Sequence, residues 1–102
     1  MAISILNTDD KSVTFAISDR FDRSTYRIFK NLCMQFCDHS YFSIDMSRTT
    51  YMDSSGLGLL LMLVKFANKN KGKVTLLNPN DSVIKILEMA RADEQVTIVK
   101  SF

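Results

Sequence analysis

The stretch Phe42-Ser43-Ile44-Asp45-Met46-Ser47-Arg48-Thr49-Thr50-Tyr51-Met52-Asp53-Ser54-Ser55-Gly56-Leu57-Gly58 decides the fold. Phe42, Ile44 and Met46 alternate with Ser43 and Asp45, the period of a half-buried strand. Ser47 to Met52 reads as an extended connection, and the Asp-Ser-Ser-Gly turn follows. From about Ser55 to Asn68 the chain reads as a helix that ends near Asn70 or Gly72, and Val74 to Leu77 is short, apolar and strand-like. A strand, a helix and a second strand in this order make a right-handed parallel crossover.

Working outward, Ile3 and Ile5, then Val13, Phe15 and Ile17, alternate on either side of the polar Asn7-Thr8-Asp9-Asp10-Lys11 segment, which predicts an amino-terminal hairpin. Tyr26, Phe29, Leu32, Cys33 and Phe36 recur at helical spacing, with Asp22 or Ser24 available as N-cap. Asn78-Pro79-Asn80-Asp81 is a turn able to cap a third helix from Val83 to about Ala90, and Val96 to Val99 reads as a final strand. The expected order is β-β-α-β-α-β-α-β: a single α/β domain over residues 1–102, with a mixed, mostly parallel sheet and three main helices.

Composition narrows the function. A chain of 102 residues, 46% apolar and 24% charged, fits one globular domain, and a formal charge of +2 gives no case for nucleic acid. Lys65, Lys69, Lys71 and Lys73 cluster at the end of the second helix, where cations suit the helix dipole. The longest unbroken apolar run, Leu59 to Val64, is far short of the roughly 20 residues a membrane span needs. Met1 to Ile5 lack the basic and apolar regions of a signal peptide, so a cytoplasmic location is expected. Cys33 and Cys37 read as buried free thiols one helical turn apart, and with His39 they fall short of a metal-ligand set; neither metal nor cofactor is expected.

The turn at Asp53 carries the functional signal. Asp and Ser ahead of a helix accept hydrogen bonds from its free first-turn amides. A phosphate there would add about −1.5 to −2 charges beside the positive end of the helix dipole. Such residues also make an ordinary helix cap. The helix that follows argues for more: Leu57, Leu60, Leu61 and Val64 form a stripe suited to the sheet, yet Leu59, Met62, Leu63 and Phe66 are apolar as well. Either the helix is unusually buried, or it offers apolar surface to a partner beside the serines.

Thr50-Tyr51-Met52-Asp53-Ser54-Ser55-Gly56-Leu57-Gly58 resembles the signature of the STAS domain of bacterial anti-sigma-factor antagonists. The segment from Ile17 to Phe21 with Asp22, the strand Val74 to Asn78 and the helix Val83 to Leu87 extend the likeness over nearly the whole chain. The resemblance implies that Ser55 is a phosphoacceptor for a partner that is both anti-sigma factor and serine kinase. It further implies a PP2C-type phosphatase that reverses the modification, with a response regulator as a further candidate partner. Asp53 would position the turn and contact the partner, and Ser54 would help cap the helix. Gly56, Leu57, Leu59, Met62 and Asp22 would complete the partner-binding surface. Two departures bear on loop shape: the family often carries glycine where Asp19 stands, and glycine after the third helix, where this chain has Ala90-Arg91-Ala92.

Two other function classes compete. A serine hydrolase would need a base for Ser55, and the single His39 lies before the third strand; Asp53 also replaces the first glycine of a G-x-S-x-G elbow. Gly56 and Gly58 do not lead into Gly-Lys-Ser/Thr, so no phosphate-binding loop is present and no enzyme is expected. A constitutive scaffold or accessory subunit of a transport or stress-sensing assembly would share the fold, and the intact Asp-Ser-Ser-Gly favours the switch over it.

Overall fold

Five strands follow one another across the sheet in the order of the sequence: β1 (Ile3–Thr8), β2 (Ser12–Phe21), β3 (Tyr41–Met52), β4 (Lys73–Leu77) and β5 (Thr97–Val99). The computed structural model describes residues 3–100. β1 and β2 form the antiparallel hairpin, and the pairs β2–β3, β3–β4 and β4–β5 are parallel. The connections are α1 (Arg23–Met34), α2 (Ser54–Lys69) and α3 (Asp81–Met89), with a short 3₁₀ turn at Ala92–Glu94. The expected element order and fold class are therefore observed.

A sheet numbered straight across, joined by right-handed crossovers, brings all three helices to one face. The alternation in the strands follows from this. Val13, Phe15 and Ile17 of β2, with Phe42, Ile44 and Met46 of β3, are buried under the helices. Their neighbours Thr14, Ala16, Ser43 and Asp45 lie only half-buried on the uncovered face. At the centre of the core Phe15 and Phe21 both meet Phe29 of α1 edge-on, with ring centroids 5.2 and 5.3 Å apart.

Three sequence expectations need correction. Ser47 to Met52 is not a connection: β3 runs 12 residues, and β2 extends with it to Phe21. The register slips twice along this pair, between Ala16 and Ser18 and between Asp19 and Arg20, and such bulges break the alternation a strand would otherwise show. Polar side chains hold the irregular ladder. Thr49 Oγ1 donates to the Ile17 carbonyl at 2.7 Å, and Thr50 Oγ1 to that of Asp19 at 3.1 Å. In α1 the buried residues are Thr25, Phe29 and Cys33, while Tyr26 turns outward. Cys37 lies beyond the end of α1 and is half-buried, so the two thiols do not share a helical face. Burial pushes the Cys33 thiol up to about 12. In the native protein a thiol reagent such as Ellman's should titrate Cys37 alone, and both cysteines after denaturation; rapid modification of Cys33 would contradict its burial.

The two family departures fall on unusual backbone. Asp19 has φ 64° and Arg91 φ 57°, both in the left-handed region that glycine occupies without strain. The loops thus keep a glycine-like shape without glycine. Asp is among the residues that tolerate this conformation best.

Candidate functional site

β3 ends against the last residues of β2, and the turn into α2 is built on that contact. Asp53 donates its amide to the Phe21 carbonyl at 3.3 Å. It is the N-cap of α2, with extended backbone, and its carboxylate accepts from the amides of Ser55 at 2.8 Å and Gly56 at 3.2 Å. The capping role expected for Ser54 therefore belongs to Asp53; Ser54 is the first helical residue and is exposed. Ser55 is half-buried on the same turn.

Gly56 sets how α2 lies on the sheet. A Cβ there would sit 2.5 Å from the Phe21 carbonyl oxygen and 2.8 Å from the Met52 side chain, so only glycine allows this approach. With Gly56 as the point of contact, the buried face is Gly56, Leu59, Leu60, Leu63, Val64 and Ala67. Leu57 and Leu61, expected to face the sheet, lie half-exposed at its margin. Leu59, expected at the partner surface, is 1% exposed and packs in the core, and Gly56 is likewise buried. Of the expected contact residues, Asp53, Ser54, Leu57 and Met62 remain partly or fully accessible.

Asp22 sits at the N-terminus of α1 in a reciprocal cap. Its carboxylate accepts from the Ser24 amide (2.9 Å) and hydroxyl (2.6 Å), and Thr25 Oγ1 accepts from the Asp22 amide at 3.2 Å. Arg20 Nε donates to the same carboxylate at 2.8 Å. The Ser24 hydroxyl, then Arg20 and the Ser24 amide, hold the Asp22 carboxyl down to about 2 from an ordinary 3.8. Its native contacts thus contribute in full above about pH 4. Between about 4 and 2 the unfolded chain binds a proton that the folded Asp22 refuses, and that stability is lost. Thermal melts from pH 6 to 2 should show a shallower acid limb for Asp22→Asn than for the parent protein. Parallel limbs would contradict the assignment.

Sequence reasoning missed two elements beside the turn. A shallow groove of about 380 Å³ runs between the start of α2 and the end of α3, lined by Tyr51, Ser54, Leu57, Ile86, Met89 and Ala90 among others. Met89 is 77% exposed. The signal was present as the apolar pair Ile86 and Met89, three residues apart and outside the Val83/Leu87 stripe that meets the core. Behind Tyr51, the Arg20 guanidinium stacks 4.3 Å from the ring centroid.

The single histidine is at the other end of the sheet. His39 Nε2 bonds to the Asp9 carbonyl at 2.8 Å, below the first residue of β3, whereas Ser55 follows its last. His39 is thus out of reach of Ser55 as a base. Among the described residues no group of three or more His, Cys, Asp or Glu is arranged to hold a metal. Nor is any described helix long and apolar enough to cross a membrane.

The family model for the STAS domain matches residues 4–102. The chain belongs to the STAS-domain family. It is 30% identical over 96 residues to a STAS-domain-containing protein of Pseudomonas aeruginosa strain UCBPP-PA14, covering 92% of this chain and 95% of that protein. This STAS domain also shares its fold with the anti-sigma factor antagonist SpoIIAA in its unphosphorylated form. The TM-score is 0.82 at 17% identity, over 99% of this chain and 90% of the other. The phosphorylated form of SpoIIAA, a Bacillus cell fate determinant, gives a TM-score of 0.80 at 17% identity, over 99% and 92%.

Proposed function

We propose that this STAS domain is an anti-sigma-factor antagonist of the cytoplasm that works as a phosphorylation-controlled partner switch. The observation that carries the reading is the setting of Ser55. It stands half-buried on a rigidly capped turn, its own amide fixed by Asp53, next to an exposed serine and an apolar groove. Unmodified, the turn and groove dock on a partner that is both anti-sigma factor and serine kinase. The Ser55 hydroxyl oxygen takes the γ-phosphoryl group of the partner's ATP, its proton passes to a base on the kinase, and ADP leaves. The phosphoserine disfavours the same contact, and a PP2C-type phosphatase restores the hydroxyl by hydrolysis. A response regulator is a further partner of the same surface. The domain contributes shape and charge to this cycle, and the kinase and phosphatase contribute the chemistry. That SpoIIAA is known in both a phosphorylated and an unphosphorylated form supports the reading.

Mass spectrometry after incubation with the cognate kinase and ATP should place one phosphate on Ser55. Phosphate on Ser54 alone, or elsewhere, would overturn the assignment. Paired baits of Ser55→Ala and Ser55→Asp should retain and lose the same partner from native cells.

A further inference from the structure

The modification proposed for Ser55 places charge in a site that is already acidic. Asp53 caps α2 through the amides of Ser55 and Gly56, and Asp22 caps α1 on the adjoining side. Both residues adjoin Phe21: Asp22 follows it in the chain, and Asp53 donates its amide to its carbonyl. Gly56 presses on that same carbonyl, so Ser55 is held between two residues that touch Phe21. A phosphate on Ser55 would add its charge to that of these two caps, and a cation beside it would offset the gain.

Arg20, the residue before Phe21, is placed to supply it. Its aliphatic arm and guanidinium plane are fixed in two ways, by the Nε contact to Asp22 at 2.8 Å and by stacking 4.3 Å above Tyr51. Arginine carries five N–H donors in a planar fork, and the Asp22 contact uses one of them. Among the described residues the Nη donors meet no protein acceptor, and the side chain is 61% exposed. A guanidinium is charged at every relevant pH, and the Asp22 hydrogen bond, with the Asp53 carboxylate, favours that charge further. The result is a preset cation with an open bidentate edge, the geometry that suits phosphate oxygens.

We infer that Arg20 is the counter-ion of phosphoserine 55, binding the phosphate through its Nη groups while its Nε stays on Asp22. This inference rests on the phosphorylation of Ser55 proposed above. Arg20 then acts as a positioning residue that fixes where the new charge points. It ties the phosphate to the Asp22 cap and the Tyr51 ring, and so keeps the modified turn in one conformation. Arg23, exposed at the first position of α1, is the nearest further cation in the sequence.

The test uses the full chain with phosphoserine installed at position 55 by genetic encoding or semisynthesis, so that it needs no kinase. Phosphorus NMR titration between pH 4 and 8 reads the second ionisation of the phosphate directly. Arg20→Gln should raise the proton affinity of that phosphate about tenfold relative to the Arg20 protein, the effect of removing one close cation. Arg20→Lys should restore part of the difference, because it keeps the charge and loses the fork. High salt should shrink the gap, since the pair is solvent-accessible. Superimposable titrations for Arg20, Gln and Lys proteins would overturn the inference. Failure of any kinase to modify Ser55 in cells would sink the proposed function and leave this pairing measurable on its own.

Discussion

Gly72→Ala should destabilise the fold severely. A Cβ at this position would lie 1.6 Å from the Ser40 carbonyl oxygen and 2.3 Å from its carbon, inside any allowed contact. The obstacle is backbone and cannot rotate away. Retreat is also blocked, because the segment is tied on all sides. The Gly72 amide donates to the Ala67 carbonyl at 2.7 Å, closing α2, and the Lys73 amide donates to Ser40 at 2.9 Å, opening β4. Asn70 clamps the facing loop, with Nδ2 donating to the carbonyls of Cys37 and His39 at 2.9 and 3.0 Å. The methyl group must therefore break either the end of α2 or the register of β4. A loss of about 4 kcal/mol or more is expected, a large part of the total stability of a domain this size. Urea unfolding followed by circular dichroism reads it. Gly58→Ala is the matched control. It meets nothing within 4 Å in the exposed part of α2 and should gain about 0.5–1 kcal/mol. A midpoint for Gly72→Ala equal to that of the parent would refute the close approach.

The second large effect concerns binding. Phosphorylation of Ser55 should weaken docking on the kinase partner about 30- to 4000-fold, the range spanned by about 2–5 kcal/mol for a charge mismatched in a buried contact. The fold itself should not change, because the phosphate sits on a turn already fixed by Asp53 and Phe21. Calorimetric titration of the partner with the modified and unmodified chains measures the ratio. Ser55→Ala should bind as the unmodified chain does, and Ser55→Asp should fall between, since one carboxylate carries half the charge of a phosphate. Equal affinity before and after modification would favour a constitutive scaffold over the switch.

The sequence carried the order of elements plainly, and the reasons are local. Alternation at Phe42, Ile44 and Met46, turn chemistry at Asn78 to Asp81 and a cap at Asp22 each act over a few residues. What it hid depends on residues distant in the chain. From Leu59 to Val64 every side chain is apolar, so the pattern has no phase from which to read which face of α2 meets the sheet. Gly56 against Phe21, 35 positions earlier, decides it, and so buries Leu59 and leaves Leu57 accessible. The far half of β3 was concealed because two bulges and a run of Ser, Arg and Thr erase the period of two. The turn at Asp53 was legible as a place. Its neighbours Arg20, Tyr51 and Met89 were not, because they gather there only through the sheet register and the packing of α3.

Strand order along the sheet repeats strand order along the chain, and this bears on how the molecule is made. Each new strand docks on the one synthesised just before it, so no pairing waits for a distant segment and each loop closed is about one helix long. The hairpin can form first and serve as the template for everything that follows. The serine turn is complete once α2 has emerged, but the groove beside it needs Ile86 and Met89 of α3. A nascent or truncated chain would thus present the proposed phosphoacceptor before it presents the groove proposed to dock the partner, and that surface is complete only with the last third of the polypeptide.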